Sequence, residues 1–287
     1  MTWFTYSILS IFALATAELV QQHLLNLKKS FDERSSGVLT FFVQALFTIP
    51  IIIFSPLKSE LLIIFNPKIL PLMLLVNFIA AIAMTYYLRS FKVQNISIST
   101  IFVSFSVVVS TILGIIFNNE GLYFLKILGI ALVLFSIFSI NLGKFKLEKN
   151  QLYGLLAGVL FGISYTFDKN LVQHMHPFVY IFWSFFFVAL LGYLMGIKTV
   201  NKAVKNADLG MYVPIVISGL GYFLYNFFTF SAYKVGGEVG RIDAINNSQI
   251  FLIILFEYFI LAHRKNFGLK IFAALVAFCG VFILGNF

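Results

Sequence analysis

The chain has 287 residues, of which 60% are hydrophobic, 18% aromatic and only 11% charged, and its mean hydropathy is +0.96. So few polar side chains cannot coat a soluble domain; at roughly 20 apolar residues per bilayer crossing, the length holds about ten spans and no separate soluble domain. The net charge of +9 sits in short connecting segments facing anionic lipid headgroups, and no interleaving of arginine with aromatic residues points to nucleic acid.

In chain order, the apolar stretches lie near residues 3–25, 36–55, 69–88, 96–117, 122–142, 152–173, 178–196, 210–233, 238–262 and 267–286. Open strands would leave backbone groups unsatisfied in lipid, and the short alternating segments of a membrane barrel are absent, so these stretches predict ten transmembrane helices. Cys279 is the single cysteine, and the four histidines show no HExxH or paired-thiol pattern. No disulfide, metal or other cofactor is expected. Neither a nucleotide-binding loop nor a catalytic-triad spacing occurs, which argues against an enzyme and against ATP-driven pumping.

The ten spans carry an internal repeat. "FKVQNISISTIFVSFSVVVSTILGIIF" from Phe91 runs without a gap alongside "YKVGGEVGRIDAINNSQIFLIILFEYF" from Tyr233, and "LKILGIALVLFSIFSI" from Leu125 lies on "LKIFAALVAFCGVFIL" from Leu269. The chain therefore divides into five-helix repeats at residues 1–147 and 148–287, and an odd repeat places its second copy upside down. The predicted fold is an all-α membrane protein built from two inverted halves.

These duplicated segments resemble the ten-helix EamA-type members of the drug/metabolite transporter superfamily. The resemblance implies a basket of helices around a central cavity, moving a small solute by alternating access. It also implies a glutamate at the ends of the fourth and ninth helices. Glu120 occupies that place in the first half, whereas the second half reads "LAHRKN", with His263 or Arg264 instead. "GVLFGISYTFDKNLV" is similar to the sixth-helix start of some members, with Asp168 and Lys169 as its acid–lysine pair; Glu18 lies at a comparable depth in the first half, with no lysine following it.

Read from the residues alone, the ninth helix is the most informative. If it begins near Glu238, a rise of ~1.5 Å per residue puts Asp243 about 8 Å and Asn247 about 13 Å into the bilayer. An aspartate there costs roughly 2.5–3.5 kcal/mol unless it faces protein, water or a partner charge. Asp243, Asn246 and Asn247 share one side, to which Glu257 returns, while Arg241 lies on another and can pair with Glu238 at i, i+3. With Gln249 they form either a cavity wall or a buried hydrogen-bond network. On the eighth helix, Tyr222, Tyr225 and Asn226 line up as a second wall or as aromatic core; as a wall, their ring faces suit a cation.

Glu18, Asp168 and Glu257 are the candidate coupling carboxylates, Asp168 having the alternative role of an interfacial anchor. Ser99, Ser106 and Ser110 on the fourth helix are expected to permit close helix approach, as are Gly154, Gly158 and Gly162 on the sixth. "HMHP" reads as an exposed turn.

Fourteen of the 20 Lys and Arg fall on the side of the membrane opposite the termini. The positive-inside rule then places both termini outside, whereas the family resemblance implies cytoplasmic termini. The expected function is secondary transport or export of a small organic metabolite across the cell membrane by a multi-pass protein, as a monomer or homodimer among membrane lipids. A lipid-head-group flippase would need a groove open sideways to lipid, and a noncatalytic scaffold would pair off every polar group.

Overall fold

The computed structural model describes residues 1–25, 31–91, 96–140, 149–259 and 267–285. These residues are helical throughout, connected by short turns. Helices α1 (Trp3–Leu25), α2 (Glu33–Ile53) and α3 (Ile69–Phe91) precede a broken span made of α4 (Ile96–Val103) and α5 (Phe105–Asn118), and α6 (Phe124–Ile140) follows. The second half begins with α7 (Lys149–Val172) and α8 (Pro177–Leu194), a short α9 (Ile197–Lys205), and α10 (Leu209–Lys234). A second broken span, α11 (Val239–Asn247) and α12 (Ile250–Phe259), leads to α13 (Phe267–Gly285). Seven of these helical stretches, counting each broken span once, are long and apolar enough to cross a membrane; α6 and α13 supply shorter apolar helices.

Burial runs opposite to that of a soluble protein. Along α1, Ser7 and Ser10 are completely buried while Phe12 is 59% exposed; Ile116, Phe117 and Phe282 also point outward. Apolar side chains face the hydrocarbon, so polar groups must find partners inside. One such chain links α1, α2 and α10. Gln21 donates to Ser36 and accepts from Thr40, and Asn226 donates to Gln44 at 3.0 Å.

Helix ends follow local chemistry. Asp32 caps α2 by accepting from the Arg34 and Ser35 amides, and Pro177 opens α8 behind His176, whose Nδ1 accepts from the Phe178 amide. At the end of α5, Asn119 adopts the left-handed conformation (φ 54°), which asparagine tolerates better than most residues. The next amide, from Glu120, closes back on the Gly114 carbonyl at 3.2 Å, turning Glu120 inward.

Helix pairing follows one pattern. α1 packs on α10 as α3 packs on α7; α4 packs on α7 as α11 packs on α1; α5 packs on α11 as α12 packs on α4; α2–α8 and α6–α13 pair a helix with its counterpart in the other half. Exchanging the two halves leaves this set of partners unchanged. A close approach to backbone atoms involves the glycine ridge of α7. A Cβ on Gly158 would lie 2.7 Å from the Val103 carbonyl oxygen, and one on Gly162 would lie 2.8 Å from that of Ser106. The ridge thus serves packing within the chain, against the break between α4 and α5.

Three features differ from the sequence expectation. The fourth and ninth spans are not continuous: the first breaks at Ser104 and the second at Ser248–Gln249. In the gapless alignment Ser104 falls opposite Asn246, so both repeats break at nearly the same place. Both breaks are tightened turns with their backbone bonds kept, as in Ser248 N–H to Ile245 O at 2.9 Å and Gln249 N–H to Asn246 O at 3.2 Å. Two connections also fold: residues Pro56–Phe65 form a 3₁₀ helix, and α9 is amphipathic, burying Val200 with its lysines outside.

Candidate functional site

At the centre of the bundle lies a cavity of about 80 Å³ lined by residues of both halves, from α1, α2, α3, α4, α5, α7, α8, α10, α11 and the α11–α12 break. That volume holds a few water molecules and is smaller than the ~300–1,000 Å³ of ordinary small-molecule pockets. The helices therefore leave only a narrow space between them in this conformation.

Three carboxylates reach the cavity: Glu18 from α1, Asp168 from α7 and Asp243 from α11, at 2%, 8% and 2% exposure. The described residues lining it include no lysine, arginine or histidine. Each acid is held by neutral donors. Glu18 Oε1 accepts from the Tyr87 hydroxyl and, at 2.9 Å, from Gln249 Nε2. Asp168 accepts from the Tyr180 hydroxyl. Asp243 is the most fully engaged, taking Ser106 at 3.2 Å and Asn247 at 2.9 Å on one oxygen and Ser110 at 2.9 Å on the other.

The two helix breaks place this chemistry. The α11–α12 break carries Gln249 across to Glu18, and the α4–α5 break presents Ser104, which donates to Asn247 Oδ1 at 3.0 Å. Asn246 accepts from Ser10 and donates to Thr229 at 3.2 Å, tying α11 to α1 and α10. Aromatic rings complete the wall. Phe161 meets Tyr87 edge-on at 5.7 Å and stacks on Tyr165 at the same separation.

Some polar atoms of the lining residues have no hydrogen-bond partner among the described residues. Glu18 Oε2, Gln249 Oε1, the Tyr222 and Ser164 hydroxyls and Asn77 Nδ2 are buried and unbonded, although every one belongs to a cavity-lining residue. Burying such groups costs about 1–3 kcal/mol each unless a ligand or water satisfies them.

Of the residues expected to bind solute, Asp243, Asn246, Asn247, Gln249, Tyr222, Tyr225 and Asn226 all line the cavity. Arg241 does not: its guanidinium turns toward the helix end and pairs with Glu238 at 3.0 Å, a reach that its position in the first turn of α11 allows. The serines of the fourth span are also more than packing residues, because Ser106 and Ser110 hold Asp243. Among the candidate coupling groups Glu18 and Asp168 meet at the cavity; Glu257 belongs to α12, and its side chain lies outside the described ones, as do His263 and Arg264. Tyr87 and Ser164 were missed. Their signal in the sequence was weak, since isolated polar residues on apolar helices are as often packing groups as site residues.

An ionic cluster closes one end of the bundle. Glu120, brought inward by the α5 terminus, accepts from Lys169 at 3.1 Å and from the Val239 amide at the start of α11 at 2.8 Å. Lys126 lies 3.9 Å from Glu120 and 3.1 Å from Glu238, which also holds Arg241. The cluster joins α5 and α6 of the first half to α7 and α11 of the second. Beside it, Lys234 donates to the carbonyls of Val172, Gln173 and Met175.

An outward-apolar bundle enclosing an acidic cavity defines a multi-pass α-helical membrane protein of the transporter class. Residues 149–286 match the model of the EamA-like transporter family, so this half of the chain is similar to the EamA-type transporters of the drug/metabolite superfamily. Solved structures share the fold. One, described as "Crystal structure of protein", superposes with a TM-score of 0.68 at 13% identity, covering 97% of this chain and 94% of its own. No curated protein matches the chain significantly.

Proposed function

We propose that this chain is a secondary transporter of a small organic solute in the cell membrane, working by alternating access. Its ten spans form two inverted five-helix repeats, residues 1–147 and 148–287, with the binding site between them. The observation that carries this reading is the central cavity, to which both halves contribute carboxylates that no lining cation balances. A buried carboxylate without a counter-charge is neutralised by a proton or by a bound cation. Either event changes the energy of the closed state, which is what coupled transport requires.

Closure at the Glu120 end, together with a tightened turn within each of the fourth and ninth spans, supports alternating access. The ionic cluster is a contact between halves that can part, and the turns are places where half-helices can tilt. Glu18 and Asp168 are the coupling groups. The flippase alternative requires a lateral groove wide enough for a lipid headgroup, and a space of about 80 Å³ disfavours it. The scaffold alternative requires every polar group to be paired, which the open atoms of Glu18, Gln249 and Tyr222 disfavour.

The test is solute uptake into proteoliposomes under an imposed pH gradient, with the solute pool fractionated to find what is taken up. Wild-type flux should follow the gradient, and Glu18→Gln and Asp168→Asn should each lose that response. Gradient-independent flux in the wild type would remove proton coupling. Lipid scrambling without solute flux would replace the transporter reading with the flippase one.

A further inference from the structure

We infer that the transported solute carries a protonated amine, and that its ammonium group docks between Glu18, Gln249 and Tyr222. The inference rests on the transport reading above and names its substrate class.

Charge is the first argument. Three acids and no bases among the described lining residues create a field that favours a cation and rejects an anion. The kind of unbonded atom is the second. Glu18 Oε2 and Gln249 Oε1 can only accept hydrogen bonds, and the Tyr222 hydroxyl can accept one as well. Gln249 has little choice of orientation, because its Nε2 donates to Glu18 Oε1 at 2.9 Å and so commits its oxygen to another donor. An ammonium has three N–H donors and no acceptor. A carboxylate or phosphate solute would find Asn77 Nδ2 as the one unbonded group that can only donate.

The acids differ in what they can still do. Asp243 receives three hydrogen bonds, with both oxygens occupied, whereas Glu18 keeps Oε2 unbonded. Glu18 is therefore the docking carboxylate, and Asp243 is a fixed negative charge or acid held within the wall. Ring faces are the third argument. Tyr87, Phe161 and Tyr165 form a continuous aromatic surface beside Glu18, Tyr87 being bonded to it directly. Such rings attract a cation within ~6 Å and give an apolar body to pack against.

The experiment uses the purified full chain in detergent and three probes of matched shape: phenethylamine, phenethyl alcohol and 3-phenylpropionate. Binding is read by calorimetry and by thermal shift. The amine should bind and raise the melting temperature, while the alcohol and the anion should bind at least tenfold more weakly. Glu18→Gln should weaken amine binding tenfold or more, as expected for a lost hydrogen bond to a charged group. Tyr222→Phe removes an oxygen that has no hydrogen-bond partner among the described residues, so it should fold normally and still lose several-fold in affinity. Equal binding of the anion, or unchanged amine affinity in a folded Tyr222→Phe and Glu18→Gln pair, would overturn the inference. Amine binding without flux in proteoliposomes would keep the site and discard transport. Flux of other solutes without amine binding would do the reverse.

Discussion

Substituting Gly158 by alanine tests how closely the sixth span seats on the broken fourth. The added Cβ would lie 2.7 Å from the Val103 carbonyl oxygen and 3.2 Å from the Ser106 nitrogen. Both are backbone atoms, so no rotamer change relieves the overlap. Restoring ordinary van der Waals separation requires α7 and the α4–α5 break to part by at least about 0.5 Å. Overpacking of this kind costs about 1–3 kcal/mol, and here the movement also strains the site. Ser106 already sits 3.2 Å from Asp243, at the outer limit for a hydrogen bond, and the displacement breaks that bond.

We expect a loss of about 2–3 kcal/mol, lowering the melting temperature by roughly 5–10 °C for a chain of this size. Unfolding followed by the fluorescence of Trp3 and Trp183 in detergent measures it. Gly210→Ala is the control, because nothing lies within 4 Å of its Cβ position; helix propensity predicts a gain of up to about 1 kcal/mol. If Gly158→Ala melts with the wild type while Gly210→Ala is the more damaging change, the glycine ridge is not a tight contact and the reasoning fails.

Glu120→Ala should cost about 3–5 kcal/mol in the same assay, because it leaves Lys169 without its buried acid and the Val239 amide without its acceptor; an unchanged melt would show that the cluster stabilises nothing. Arg241→Ala should leave solute affinity within twofold and stability within about 1 kcal/mol, since its pair with Glu238 is partly exposed and lies off the cavity. A tenfold loss of affinity would return Arg241 to the site. In the turn before α8, His176 is held below its usual value of 6.5, mainly by partial burial, reinforced by Lys234 and opposed by Glu60. The folded chain therefore binds fewer protons than the unfolded one, so this contribution to stability is complete above 6.5 and is lost as pH falls through the lowered value. Protonation also removes the Nδ1 acceptor for the Phe178 amide. The melting temperature should fall on acidification below 6.5 more steeply in the wild type than in His176→Asn; parallel curves would exclude His176 as the cause.

The spans were legible because hydropathy over some twenty residues reports directly on the solvent around them. The helix breaks were not, since a single serine is as common inside a continuous membrane helix as at a break and a tightened turn keeps its backbone bonds. The amphipathic α9 could have been read from Ile197, Val200 and Val204 at helical spacing with lysines opposite, a pattern obscured by the polar composition of its segment. In the site, the depth and shared side of Asp243, Asn246 and Asn247 were visible from periodicity. Their partners were not. The Glu18–Gln249 bond joins residues 231 positions apart, and no local pattern carries that information. The assignment of Arg241 failed because its position along the helix fixed its depth, while its choice of Glu238 was made by side-chain reach.

The Glu120 cluster bears on the balance between conformations. If the halves exchange roles during the cycle, the opposite end would need an acid at the matching place to close in the same way. At the position that matches Glu120 in the sequence alignment, the chain reads "LAHRKN", with His263 and Arg264 and no acid. The two end states are then unequal in energy. Under the transport reading proposed above, the resting population with no solute bound and no gradient applied would lie with the Glu120 end shut, and parting its ion pairs would be the slow step.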